Sequence, residues 1–160
     1  MPAELRIGSG WDSHAFVPGR PLRLGGIEIA HPSGLAGHSD GDVLLHAVCD
    51  ALLGAIGAGD IGSHFPSTDE RFRGADSSTF VRHALHLVEA AGWEILNLDA
   101  TVILQTPRLG PYAARLRESI AALLAISGSR VSIKAKTPEG LGLPETAMAQ
   151  VVILLREKQP

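Results

Sequence analysis

The sequence predicts an α+β fold of two layers: a mixed β-sheet of about four strands, helices packed on one of its faces, and a small hairpin. Three observations carry this expectation. Extended, alternating segments are interleaved with three segments of helical periodicity, glycine or proline stands at nearly every junction, and no segment repeats another. At 160 residues the chain can bury roughly two thirds of its unfolded surface around one core, so residues 1–160 are expected to form a single domain.

Residues 5–13 set bulky Leu5, Ile7 and Trp11 among smaller neighbours and read as a strand that runs into Asp12 and His14, with Pro18, Gly19 and Pro21 ending it. Segments 22–24 and 27–30 flank Gly25-Gly26 as a hairpin whose glycines permit the positive φ of a tight turn. Ser39-Asp40-Gly41-Asp42 offers N-caps and acidic residues to a helix over 43–56, where Val43, Ala47, Val48, Ala51, Leu52 and Ile56 recur at helical spacing. Gly57, Gly59 and Gly62 break that helix and open a loop to about residue 77, long enough to suggest a functional one. Ser77 or Ser78 can cap a second helix over 79–91, ended by Gly92. A strand over 95–105 stops at Pro107, a third helix over 111–126 carries Leu116, Ile120, Leu123 and Leu124 as its stripe, and strands over 131–136 and 147–156 follow.

Composition excludes several classes. The chain is 45% hydrophobic and 19% charged, and no window approaches the ~20 apolar residues of a membrane span. No basic region followed by an apolar block opens it, which places the expected location in the cytoplasm. A net charge of -3 with scattered cations and 4% aromatics argues against a nucleic-acid partner. The single Cys49, among Ala47, Val48, Ala51 and Leu52, reads as a buried apolar side chain.

Asp12-Ser13-His14 carries most chemical weight. Residues i and i+2 of a strand share a face about 7 Å apart, close enough for both side chains to converge on one ion. His46, one helical turn after Asp42, can complete the set if its helix packs against the strand end. Two imidazoles and one carboxylate leave a tetrahedral zinc with an open fourth position, the arrangement of a catalytic site. Alone, each element has a plainer reading: a solvated strand end for Asp12 and His14, a half-buried helix histidine for His46.

The combination resembles one family. Arg6-Ile7-Gly8-Ser9-Gly10-Trp11-Asp12-Ser13-His14-Ala15-Phe16, then His38-Ser39-Asp40-Gly41-Asp42-Val43, His46, Asp50-Ala51-Leu52-Leu53-Gly54 and Gly59-Asp60-Ile61-Gly62 look like the 2-C-methyl-D-erythritol 2,4-cyclodiphosphate synthases. Phe65-Pro66-Ser67-Thr68-Asp69, Gly74-Ala75-Asp76-Ser77 and the run from Lys134 to Gly142 continue the match in order and spacing.

The resemblance implies a small-molecule substrate, 4-diphosphocytidyl-2-C-methyl-D-erythritol 2-phosphate, closed to a cyclic diphosphate with loss of CMP. It implies Zn2+ on Asp12, His14 and His46, and a second divalent ion, Mg2+ or Mn2+, on Glu139. His38 and Thr137 match the transition-state-stabilising positions, and Ser39 would lie beside His38 on the substrate phosphate. Asp60, Ile61 and Gly62 match the segment that holds the erythritol hydroxyls, with Phe65, Pro66, Ser67, Thr68 and Asp69 following on the substrate side. Leu104, Gln105, Thr106, Pro107, Arg108, Leu109 and Gly110, together with Lys136, Thr137, Pro138, Glu139 and Leu143, match the cytidine-diphosphate segments, which in this family reach the substrate from a neighbouring subunit of a homotrimer.

One segment departs from the pattern. After Gly142 the family continues with Phe, Thr, Gly, Arg, Gly and Glu, whereas here Leu143-Pro144 leads directly to Glu145-Thr146 and the expected phosphate-binding Arg is absent. Two rival readings use the same residues: a non-catalytic trimer that binds cytidine nucleotides or isoprenoid diphosphates, and a zinc hydrolase of another phosphate ester.

Overall fold

The computed structural model describes residues 3–159. Strand β1 (Leu5–Pro18) is followed by a hairpin of β2 (Leu22–Leu24) and β3 (Ile27–Ile29), the short strand β4 (Ser33–Leu35) and helix α1 (Val43–Ala55). After α2 (Ile61–His64) and α3 (Ser78–Ala90) come β5 (Trp93–Ile103), α4 (Ala113–Leu123), β6 (Val131–Lys136) and β7 (Thr146–Glu157). The sheet has the order β4-β1-β7-β5-β6, antiparallel except for β5 and β6. That parallel pair needs a crossover, and α4 supplies it.

The sheet therefore has five strands where the sequence predicts about four. The addition is β4, a three-residue strand containing Gly34 and too short to show alternation. The expected loop over 57–77 is also partly ordered. Asp60 caps α2 by accepting from the Ser63 amide at 2.7 Å, and a 3-10 turn spans Glu70–Phe72.

Alternation decides which face is covered. Ala147, Ala149, Val151, Ile153 and Leu155 of β7 point to one side with Leu98, Ala100 and Val102 of β5, all buried beneath the helices. The opposite side carries Leu5, Ile7, Trp11 and Val152 in the open, with Ile7 71% exposed. Helix α1 is buried on nearly every side, as befits an apolar helix between the sheet, α3 and the hairpin.

Two close approaches set α1 in place. An added Cβ at Gly8 would lie 1.9 Å from the Ala51 carbonyl oxygen, and one at Gly10 would lie 1.9 Å from that of Ala47. At the other end of the helix Asp42, fully buried, accepts from the Leu45 amide at 3.0 Å, Gly25 at 2.9 Å and Gly26 at 2.8 Å. One carboxylate thus caps α1 and ties it to the hairpin turn.

Gly10→Ala is expected to destabilise the protein by about 3 kcal/mol, because the clash is with helix backbone and not with a movable side chain. Gly54→Ala is the control. A Cβ there meets nothing nearer than 3.8 Å and sits inside α1, so about 0.5–1 kcal/mol of stabilisation is expected. Thermal unfolding checks both, and equal midpoints for Gly10→Ala and the wild type would show that α1 can back away freely.

Candidate metal centre and active site

Beyond Gly8 and Gly10, the same face of β1 presents Asp12 and His14. Because α1 runs back along the strand, with Ala51 over Gly8 and Ala47 over Gly10, its first turn lies over those two residues. His46 reaches them from that turn. His14 Nε2 stands 2.7 Å from Asp12 Oδ2 and 3.1 Å from His46 Nδ1, and the third edge, from His46 Nδ1 to Asp12 Oδ2, is 3.0 Å.

Such a triangle of two imidazole nitrogens and a carboxylate oxygen suits a cation. Imidazole nitrogens and a carboxylate oxygen are the donors zinc takes, so Asp12, His14 and His46 are the residues that would hold it. Among the described residues this is the one grouping of three or more His, Cys, Asp or Glu side chains able to hold a metal. Burial alone would raise the Asp12 carboxyl, but hydrogen bonds and charge from His14 and His46 outweigh it and hold Asp12 well below the usual carboxylate range. Burial alone would lower His14, yet Asp12 and a hydrogen bond to the Ala36 backbone raise it above the ordinary histidine value.

A cavity of about 260 Å³ opens over the triangle, with His38, Ser39, Ile61, Gly62, Phe65 and Ser67 on its walls beside the three ligands. Phe72 and Phe80 complete an apolar side; Phe65 packs on both, with ring centroids 5.2 and 4.5 Å away. His38 donates Nε2–H to the Asp69 carbonyl at 3.0 Å, which leaves Nδ1 free of that bond. Arg20 clamps the same loop, donating to the carbonyls of Gly37 at 2.9 Å and Ser39 at 2.6 Å. Asp60, Pro66, Thr68 and Asp69 do not line the cavity: Asp60 and Asp69 spend their carboxylates on Ser63 and Arg71.

The remaining predicted residues gather elsewhere. Leu104, Gln105, Pro107, Arg108, Leu109 and Gly110 line a second cavity of about 500 Å³ with Lys136, Thr137 and Glu139. It shares no lining residue with the first. The Thr137 hydroxyl donates to the Glu139 carboxylate, and Glu139 sits at φ 48, a left-handed conformation uncommon outside glycine. Thr106 contacts His31 at 3.3 Å, Pro138 is buried beneath the turn, and Leu143 stands on an exposed turn between β6 and β7. Cys49 is buried, its thiol pushed up to about 12 chiefly by burial, and takes no part in either cavity.

Behind Phe65, His64 donates Nε2–H to the Ala58 carbonyl at 2.8 Å, so its Nδ1 can only accept, here from His83 Nε2 at 3.2 Å. Burial first, then the charges of His64 and His86, lowers the His83 pKa. The folded state thus binds this proton less well than the unfolded chain. The contribution is complete above the unfolded histidine value of about 6.5 and is lost as pH falls through it toward the lower folded value. His83→Gln is expected to lose less thermal stability than the wild type between about pH 7.5 and about pH 5.5. The difference should be small because His83 is exposed, and an identical acid loss in the two proteins would dismiss the contribution.

The YgbB family model matches residues 5–156. A 2-C-methyl-D-erythritol 2,4-cyclodiphosphate synthase of Koribacter versatilis is 53% identical over 154 residues, spanning 96% of this chain and 99% of the relative. The synthase of Bordetella avium is 56% identical over 158 residues, spanning 97% and 98%. A solved 2C-methyl-D-erythritol-2,4-cyclodiphosphate synthase superposes with a TM-score of 0.89 at 48% identity, covering 94% of this chain and 99% of its own. IspF of Plasmodium falciparum, in complex with CDP, superposes at 0.86 with 34% identity and 97% coverage of both chains. With the family model matching nearly the whole chain and relatives more than half identical along their full length, the chain belongs to the YgbB family of 2-C-methyl-D-erythritol 2,4-cyclodiphosphate synthases.

Proposed function

We propose that the chain closes a cyclic diphosphate by intramolecular phosphoryl transfer. In 4-diphosphocytidyl-2-C-methyl-D-erythritol 2-phosphate, an oxygen of the 2-phosphate attacks the β-phosphorus. The new P–O bond forms as the bond to the CMP oxygen breaks, CMP leaves with that electron pair, and no water enters. The product is 2-C-methyl-D-erythritol 2,4-cyclodiphosphate, an intermediate of non-mevalonate isoprenoid synthesis, and the enzyme is a phosphorus–oxygen lyase. The observation that carries this reading is the Asp12, His14 and His46 triangle beneath a cavity shared with His38 and Ser39. The CDP in a structural neighbour supports a cytidine diphosphate as part of the substrate.

Nucleophile and electrophile belong to one molecule, so the protein's main task is to bend it into line, which can supply on the order of 7 to 11 kcal/mol. Asp60, Ile61 and Gly62 would hold the erythritol end while Phe65, Phe72 and Phe80 exclude water from it. With Nε2–H given to Asp69, His38 would donate to a phosphoryl oxygen gaining charge through Nδ1–H as the imidazolium, and the Thr137 hydroxyl would do so once Glu139 turns to the second ion, with Ser39 beside them. Zn2+ on Asp12, His14 and His46 would supply a Lewis acid at the β-phosphate, and Mg2+ or Mn2+ on Glu139 would offset charge on the departing CMP. Substrate and products are phosphorylated and membrane-impermeant, which suits a single-domain enzyme working in the cytoplasm. None of the described helices is long and apolar enough to cross a membrane.

The two cavities share no residue, which supports a homotrimer in which the nucleotide segments of one subunit face the metal cavity of the next. The bare face carrying Leu5, Ile7, Trp11 and Val152 supports the same assembly, since apolar side chains so grouped call for cover.

Phosphorus NMR of substrate, protein and Mg2+ tests the reaction. A cyclic diphosphate plus CMP is expected, abolished by a zinc chelator; an open-chain product would identify a hydrolase, and unchanged substrate a non-catalytic binder. Mixing tests the assembly. His46→Ala and Glu139→Ala, each inactive alone, are expected to recover about a quarter of wild-type activity when co-assembled at equal amounts, because one site in four receives both intact halves. No recovery from confirmed hybrids would place both halves on one subunit.

A further inference from the structure

We propose that Ser77, held by Asp40, is a positioning residue that fixes which nitrogen of His46 carries the proton and so keeps Nδ1 open for the metal. The inference rests on the zinc reading of the Asp12, His14 and His46 site and extends it to two residues outside the ligand set.

Hydrogen bonding leaves Ser77 little choice. Its hydroxyl lies 2.5 Å from Asp40 Oδ1, and Asp40 also accepts the amides of Ser77 at 3.1 Å and Asp42 at 3.1 Å. A carboxylate that collects N–H donors in this way is an acceptor, so the single hydroxyl proton of Ser77 goes to Asp40. Toward His46 Nε2, 2.9 Å away, Ser77 then offers only a lone pair. The proton between them must sit on Nε2, and Nδ1 turns a bare lone pair toward Asp12 and His14. Outer partners of this kind orient metal-binding histidines in general.

Ser77 has no other evident service. It occupies the N-cap position of α3, yet its side chain makes no capping bond, and the Asp76 carboxylate accepts the Ser78 amide at 2.8 Å instead. Its hydroxyl is fully buried and spent entirely between Asp40 and His46. Ser39 lies 3.1 Å from the same imidazole nitrogen, but no carboxylate holds its proton, and its only other bond is a 3.5 Å contact with the Gly41 amide. Ser39 also lines the cavity. The two serines thus divide the work: Ser77 orients the ring, and Ser39 keeps a hydroxyl for the cavity.

Removing Ser77 leaves Asp12, 3.0 Å from Nδ1, as the strongest acceptor near the ring. The imidazole proton would move to Nδ1, the atom that has to bind the metal, and would have to leave it again when the ion enters. Ser77→Ala is therefore expected to weaken zinc binding to metal-free protein by about 10- to 100-fold, measured by competition with a chelator, while Ser39→Ala binds zinc like the wild type. Nitrogen-15 imidazole spectra of the metal-free proteins above the histidine range should show His46 protonated at Nε2 in the wild type and at Nδ1 in Ser77→Ala. Unchanged zinc affinity in Ser77→Ala, an equal loss in Ser39→Ala, or Nδ1 protonation in the wild type would each overturn the inference. The wild-type spectrum decides even where Ser77→Ala does not fold. A wild-type protein that binds no zinc would instead remove the zinc reading itself.

Discussion

The chemistry of this chain depends on how closely α1 lies against β1. The strand contributes glycine at positions 8 and 10, the helix contributes Ala47, Ala51 and Ala55 at intervals of four, and the contact is between backbones. Side chains can rotate and re-pack, whereas backbone against backbone has little give. The separation of helix and strand is consequently set within narrow limits, and with it the reach of His46 toward Asp12 and His14. The three ligand atoms stand within hydrogen-bonding distance of one another because the layer beneath them has no room to vary.

A second consequence concerns polar burial. The buried polar side chains among the described residues are Ser39, Asp42, His46 and Ser77, and all four stand around the first turn of α1 or the loop entering it. None is left without a partner. Asp42 binds the hairpin to the helix, and the serines bind the ring of His46 to the 37–42 loop and the start of α3. The surroundings of the Asp12, His14 and His46 triangle are built like a core. The cavity lined by Leu104, Arg108, Lys136 and Glu139 is built largely from loops, with Glu139 in a left-handed conformation just before Gly140.

Periodicity made the helices and the long strands legible, because burial on one face is what periodicity records. The Asp12, His14 and His46 grouping was legible as well, two residues from their shared strand face and one from its place on a helix. What escaped the sequence shares a common cause. Strand β4 is too short to alternate, and its pairing with Phe16 and Val17 is a long-range event. Ser77 stands 31 residues from His46 and 37 from Asp40 and looks like an ordinary helix cap, so only the folded chain reveals that its hydroxyl is used elsewhere. The aromatic wall shows the same limit: Phe72 and Phe80 have ordinary roles in local pattern and meet Phe65 only when α2 and the 3-10 turn fold over α3. Asp60 and Asp69 also accept from nearby amides, those of Ser63 and Arg71, local turn bonds that their residue types alone do not single out.

Strand β1 also divides its labour by parity. Even positions give Gly8 and Gly10 to the helix and Asp12 and His14 to the triangle with His46, while odd positions give Leu5, Ile7 and Trp11 to the bare face. Its pairing with β7 runs unbroken from Leu5 opposite Arg156 to Ala15 opposite Thr146. A slip of one residue would exchange the two sets, turning the ligands away from His46 and driving an indole into a seam that cannot accept a methyl group. Misregistered chains would therefore be rejected by sterics before they could bind an ion in the wrong place, and the metal site doubles as a mark that the strand has been laid down correctly.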